Sequence, residues 1–86
     1  MWIVYVLLCS DKSLYTGYTD NLEKRFVSHK EGKGAKYTKS HKPIKIVYSE
    51  IFEQKNDALK REAEIKKWER KDKIQRLGLS LLINGE

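Results

Sequence analysis

Eight consecutive residues, Trp2-Ile3-Val4-Tyr5-Val6-Leu7-Leu8-Cys9, are apolar, β-branched or aromatic, and Ser10-Asp11-Lys12 closes the run. A strand without polar alternation is buried on both faces, so this one belongs in the middle of a sheet. The whole chain has 86 residues. A chain of that size buries only about 60–65% of the surface it exposes when unfolded. It therefore has one core, built on this strand, and residues 1–86 are expected to form a single domain.

The remaining elements follow from local patterns. Ser13–Tyr18, with Leu14, Tyr15, Thr16 and Tyr18, reads as the hairpin partner of the first strand. Gly17 inside it marks a bulge or a close backbone approach. Thr19 or Asp20 can cap the next element, and Glu23 stands three residues after Asp20 as in a capping box. Leu22, Phe26 and His29 then share one face, which predicts a helix over 20–31 ending at Gly32. Residues 32–43 read as a loop or short helix ended by Pro43, and 45–52 as a third strand. Asn56 or Asp57 can cap a long helix running to about Lys71. Ile74, Leu77 and Leu81, interrupted by Gly78, suggest a short helix or ordered tail. The order β-β-α-β-α-α predicts an α+β fold: a small three-stranded antiparallel sheet flanked by helices.

Several classes are excluded. No apolar run approaches the roughly 20 residues that span a bilayer. The first run lacks the basic flank and small-residue site of a signal peptide. Cys9 is the only cysteine, which removes internal disulfides and CxxC sites and marks it as an inert core residue. These features favour the cytoplasm and no membrane association.

The net charge of +6 is unevenly placed. Residues 24–45 carry eight cations, Lys24, Arg25, Lys30, Lys33, Lys36, Lys39, Lys42 and Lys45, against Glu31 alone. That stretch exceeds the net charge of the whole chain. It fits a polyanionic partner or, more plainly, a solvated lysine-rich loop.

Polar residues on expected inward faces say more. On a helical wheel Glu62 falls near the middle of the arc formed by Ala58, Leu59, Ala63, Ile65 and Trp68. Arg25 and His29 flank the stripe of Leu22 and Phe26 in the same way. A carboxylate facing a core costs several kcal/mol unless it is paired or holds a metal. A buried Arg25–Glu62 ion pair would explain both without chemistry. Two strand tyrosines, Tyr5 and Tyr15, converge with these groups. The set lacks a nucleophile triad, a Walker loop and zinc-ligand spacing. It suits phosphodiester chemistry: a carboxylate for one hard metal ion, an arginine for phosphate and hydroxyls to orient water.

These residues resemble the GIY-YIG nuclease superfamily. Ile3-Val4-Tyr5 stands where the GIY triplet would be, and Tyr15-Thr16-Gly17 stands for YIG, with nine residues between the tyrosines. Arg25 follows Tyr15 by ten residues and His29 by fourteen, as in the family's helix motif. Glu62 takes the place of the metal-binding glutamate. The wording SLYTGYT, NLEKR, GKGAKYT and LKREAEIKKW looks most like small stand-alone bacterial members akin to the GIY-YIG nuclease module of the bacterial repair excinuclease. Ile3 replaces the first glycine, and Tyr18 stands where the excinuclease branch has lysine.

The resemblance implies a metal-dependent endonuclease hydrolysing phosphodiester bonds in DNA rather than RNA, structure-directed in repair or recombination. One Mg²⁺ or Mn²⁺ would bind Glu62. Tyr15 would orient or deprotonate water, and Arg25 would stabilise charge at phosphorus. Tyr5, His29 and Tyr37 would position water or phosphate. Lys33, Lys36, Lys39 and Lys42 would guide the nucleic-acid backbone, with Tyr37 and His41 offering rings to bases. No reader domain is recognisable, so weak or structure-directed recognition is expected, with a partner protein as one candidate source of specificity. The alternatives are a nucleic-acid-binding module of the same fold without cleavage, and an interaction protein whose basic face docks an acidic partner.

Overall fold

The computed structural model describes residues 1–84, so the last two residues of the expected domain lie outside the described residues. Its elements are β1 (Trp2–Cys9), β2 (Leu14–Thr19), α1 (Leu22–Lys30), α2 (Lys36–Ser40), β3 (Pro43–Phe52), α3 (Lys55–Lys66), α4 (Arg70–Leu77) and α5 (Ser80–Asn84). The sheet is antiparallel with order β2-β1-β3, so the apolar first strand is central as its composition requires. Val4, Val6, Leu7 and Cys9 are fully buried, and burial pushes the Cys9 thiol pKa up.

Side chains alternate across a strand, so β1 feeds two layers. Val4 packs with Ala58 and Ile65 of α3, flanked by Trp2, Tyr18, Phe52 and Trp68. Val6 and Leu8 pack with Val47, Leu79 and Ile83. Tyr5 points the other way, toward His29 of α1. The helices at the chain's end cover one face, while α1 and α2 cover the other.

Several boundaries differ from the sequence expectation. The cap of α1 is Asn21, whose Oδ1 accepts from the Lys24 amide at 3.1 Å; Thr19 instead accepts from the Asn21 amide at 3.1 Å. Asp20 is left exposed outside the helix. Residues 36–40 form α2, and β3 begins at Pro43, two residues early, with irregular pairing to β1 near Val47 and Ile44. Gln54, not Asn56 or Asp57, precedes α3, and its side chain makes no cap bond.

The expected long helix to Lys71 is in fact two helices. After Lys66 the chain tightens, with Lys67 and Trp68 amides donating to Glu64 and Ile65 carbonyls. This turn seats the Trp68 ring under the guanidinium of Arg61 (5.3 Å) and that of Arg76 (4.9 Å). Arg61 is fixed in turn by Glu50 at 2.9 Å and Glu64 at 2.8 Å. α4 ends at Gly78 in the left-handed conformation (φ 67°), which glycine adopts without strain.

The segment after Gly78 is core, not an appended tail, because Leu79 is 1% exposed and Ile83 is 5% exposed. Leu79→Ala is therefore expected to lower unfolding free energy by about 2–5 kcal/mol, read as a urea midpoint shift at unchanged slope. A change under about 0.5 kcal/mol, typical of a surface site, would contradict this packing.

Candidate active site

The site is organised around a buried pair. Tyr5 (1% exposed) and His29 (fully buried) meet with the phenol oxygen 2.7 Å from Nε2. The other ring nitrogen, Nδ1, lies 2.7 Å from Thr38 Oγ1 on α2. Burial, and secondarily the charge of Arg25, lowers the His29 pKa to about 4. Burial likewise raises the Tyr5 pKa to about 12, with Arg25 pulling the other way. Both groups are thus neutral at pH 7.

Close backbone approach makes room for them. A Cβ on Gly17 would sit 2.6 Å from the Tyr5 oxygen, and one on Gly34 would collide with the His29 ring. Gly17 pairs with Tyr5 in a regular β1–β2 register, so the close approach, not a bulge, accounts for this glycine.

Three more rings join the pair. Tyr15 lies 6.4 Å from Tyr5, 5.1 Å from His29 and 5.8 Å from Tyr37, measured between ring centres. Tyr37 in turn stacks on His41 at 4.1 Å and 8°. Much of the stacking surface that Tyr37 would offer a base is therefore taken by the protein's own rings. His41 is further held by its Nδ1, which donates to the Tyr37 carbonyl at 3.0 Å.

The charged members come from two helices. Arg25, partly buried on α1, donates to the Gly34 carbonyl at 2.8 Å. It also lines an open cleft of about 260 Å³ with Thr19, Asp20, Asn21, Lys24 and Ser28. Glu62 on α3 has a side chain 14% exposed and pairs with Lys66 at 3.2 Å. In place of the Arg25–Glu62 ion pair that would have explained both residues without chemistry, there are two separate contacts. Lys66 also stands 6.0 Å over the Tyr15 ring, which ties Glu62 to the aromatic cluster at the β2 edge. Tyr15, Arg25 and Glu62 all lie near enough to Tyr5 to bear on its ionisation.

Among the described residues no three His, Cys, Asp or Glu side chains converge. A divalent ion would have Glu62 as its one protein carboxylate, with water and substrate phosphate filling the remaining positions. That donor set fits Mg²⁺, which commonly keeps several waters and takes one or two carboxylates.

Lys33, Lys36, Lys39 and Lys42 are all exposed, on α2 and the segments flanking it. Lys33 approaches Glu31 at 4.0 Å, a contact worth little at such exposure. Thr38, Gly34 and Lys66 were not anticipated as site residues. Lys66 was findable as the i+4 neighbour of Glu62; Thr38 carried no signal apart from the GKGAKYT wording.

The model of the GIY-YIG catalytic domain matches residues 1–75. A UPF0213 protein of Staphylococcus haemolyticus is 51% identical over 72 residues, covering 84% of this chain and 88% of its own length. A UPF0213 protein of Syntrophus aciditrophicus is 56% identical over 73 residues, covering 84% of each. The solution NMR structure of a UPF0213 protein from Bacillus halodurans is 41% identical, with a TM-score of 0.59, over 92% of this chain and 85% of that one.

The buried imidazole makes stability depend on pH. His29 titrates near 4 when folded and near 6.5 when unfolded. Between those values the unfolded chain binds more protons, so stability falls as pH drops from about 6.5 toward 4, by about 3 kcal/mol in total. Urea unfolding at pH 7, 5.5 and 4.5 should show wild type losing more than His29→Gln. Equal losses would place the imidazole in water.

Proposed function

Because the chain belongs to the GIY-YIG family, a nuclease family, we propose that it is a metal-dependent endonuclease that hydrolyses phosphodiester bonds in DNA. One observation carries the reading: Tyr5, Tyr15, His29 and Tyr37 form one cluster that also meets Arg25 and the Glu62–Lys66 pair. The donors of this set suit a phosphoryl centre.

Tyr5 holds its proton firmly and is hydrogen-bonded to His29, so Tyr5 positions and does not act as the base. Tyr15 is partly exposed and remains to orient the attacking water. Arg25, anchored by one nitrogen on Gly34, can turn other guanidinium donors to a phosphate oxygen. Glu62 would hold Mg²⁺ or Mn²⁺. Such an ion, when bound, stabilises charge on the phosphate and the leaving oxygen. Chemistry is thus separated from grip. The exposed lysines draw in the backbone, and structure-directed recognition in repair or recombination fits a chain with no recognisable base-reading element.

The Glu62–Lys66 ion pair favours a second reading, a nucleic-acid-binding module that does not cut. A carboxylate already neutralised by an ammonium is a weaker metal ligand. A panel of branched, nicked and single-stranded DNA with Mg²⁺ or Mn²⁺ separates the readings. Wild type should nick at least one substrate, while Tyr15→Phe and Glu62→Gln stay folded and lose at least about 100-fold in rate. Salt-sensitive binding without nicking would establish the second reading.

Replacing Lys33, Lys36, Lys39 and Lys42 together with glutamine should weaken binding and flatten its log–log salt slope by up to about 3–4. Turnover at saturating substrate should stay the same. A loss of that turnover would show that the lysines belong to the chemistry.

A further inference from the structure

The buried histidine has a partner on each ring nitrogen, and its proton arrangement turns on Thr38. Thr38 is 2% exposed, and its Oγ1 lies 2.7 Å from His29 Nδ1 and 3.2 Å from the Ala35 carbonyl. A carbonyl can only accept, and the hydroxyl has one hydrogen. With that hydrogen on Ala35, Thr38 Oγ1 has only lone pairs for Nδ1. The proton of the neutral imidazole then sits on Nδ1, Nε2 is bare, and the Tyr5 hydroxyl 2.7 Å away donates to it. In this arrangement the chain runs in one direction, from the Tyr5 hydroxyl through His29 and Thr38 to the Ala35 carbonyl.

The same short segment governs the other charged member of the site. The Gly34 carbonyl anchors Arg25 at 2.8 Å, and Gly34 lacks the Cβ that would displace the His29 ring. Residues 34–38 thus touch both Arg25 and His29 from one side.

We propose that Thr38 is a positioning residue: it locks His29 in the Nδ1–H tautomer and thereby leaves the Tyr5 oxygen only an acceptor toward its other neighbours. With its proton committed to His29, the Tyr5 oxygen has only lone pairs to offer Arg25 or a group that reaches it. It can receive a hydrogen bond from water or from the guanidinium, and it cannot donate one to a phosphate oxygen. With the opposite tautomer His29 would donate to Tyr5, and the phenol proton would turn toward the site. The consequence for catalysis rests on the nuclease reading; the tautomer does not.

Two-bond proton–nitrogen correlation on the ¹⁵N-labelled protein at pH 7 tests the tautomer directly, with His41→Asn to assign the two rings. The expected His29 pattern is a protonated Nδ1 and a bare Nε2; a protonated Nε2, or protons on both nitrogens, overturns the proposal. Thr38→Val removes the acceptor and should shift His29 toward the Nε2–H form, whereas Thr38→Ser should keep the wild-type pattern. If the valine variant does not fold, the wild-type spectrum still decides. Where nicking is found, Thr38→Val should lower kcat about tenfold or more with KM within about twofold, and serine should restore it. An unchanged tautomer in folded Thr38→Val overturns the proposal whatever its rate. Absence of nicking in wild type would count against the nuclease reading and leave the tautomer result standing.

Discussion

The Tyr5–His29 hydrogen bond joins the central strand to α1 through groups that would be costly to bury alone. Leaving either partner unsatisfied costs about 1–3 kcal/mol, so the pair fixes more than its own geometry. It sets the height of α1 over the sheet, and it requires a bare backbone at Gly17 and again at Gly34. It also requires a further partner for the second ring nitrogen, which brings α2 down onto α1. A short helix with no acidic residue in its first turn and no side-chain cap gains little stability from local terms. Its place is set by what Thr38 satisfies.

The opposite face of the sheet is built by other means. There the layer is apolar, from Val4, Val6 and Leu8 against Ala58, Ile65, Leu79 and Ile83. Its polar rim is the Arg61 fork between Glu50 and Glu64, with Trp68 between two guanidinium groups. On the site face the buried polar groups are Tyr5, His29 and Thr38, joined to one another by hydrogen bonds. Polar groups on the site face are tolerated because β1 is already anchored from behind.

The fold was legible because its decisive signals are long or unambiguous. An eight-residue apolar run has one good position in a sheet, and Gly32 and Gly78 mark real ends. The stop after Lys66 was not legible, since no glycine or proline stands there and the break comes from seating Trp68. The cap at Asn21 was missed because three neighbours, Thr19, Asp20 and Asn21, are all competent, and only tertiary placement selects one. In the site, Glu62 and Arg25 were singled out because they interrupt apolar arcs, and both are indeed partly buried. Their partners were not legible. A wheel shows which face a residue takes but not the reach of its side chain, and Arg25 found a carbonyl nine positions on while Glu62 found the lysine one turn away.

The basic stretch has a different meaning once its members are placed. Arg25 is turned inward, while Lys33, Lys36, Lys39 and Lys42 are exposed around a helix whose buried residue is Thr38. One short segment therefore presents charge outward and a hydroxyl inward. Thr38 seats this segment on His29, and the Gly34 carbonyl holds Arg25, while the lysines face away from both. Charge can therefore be removed from the outer face without changing what the inner face holds.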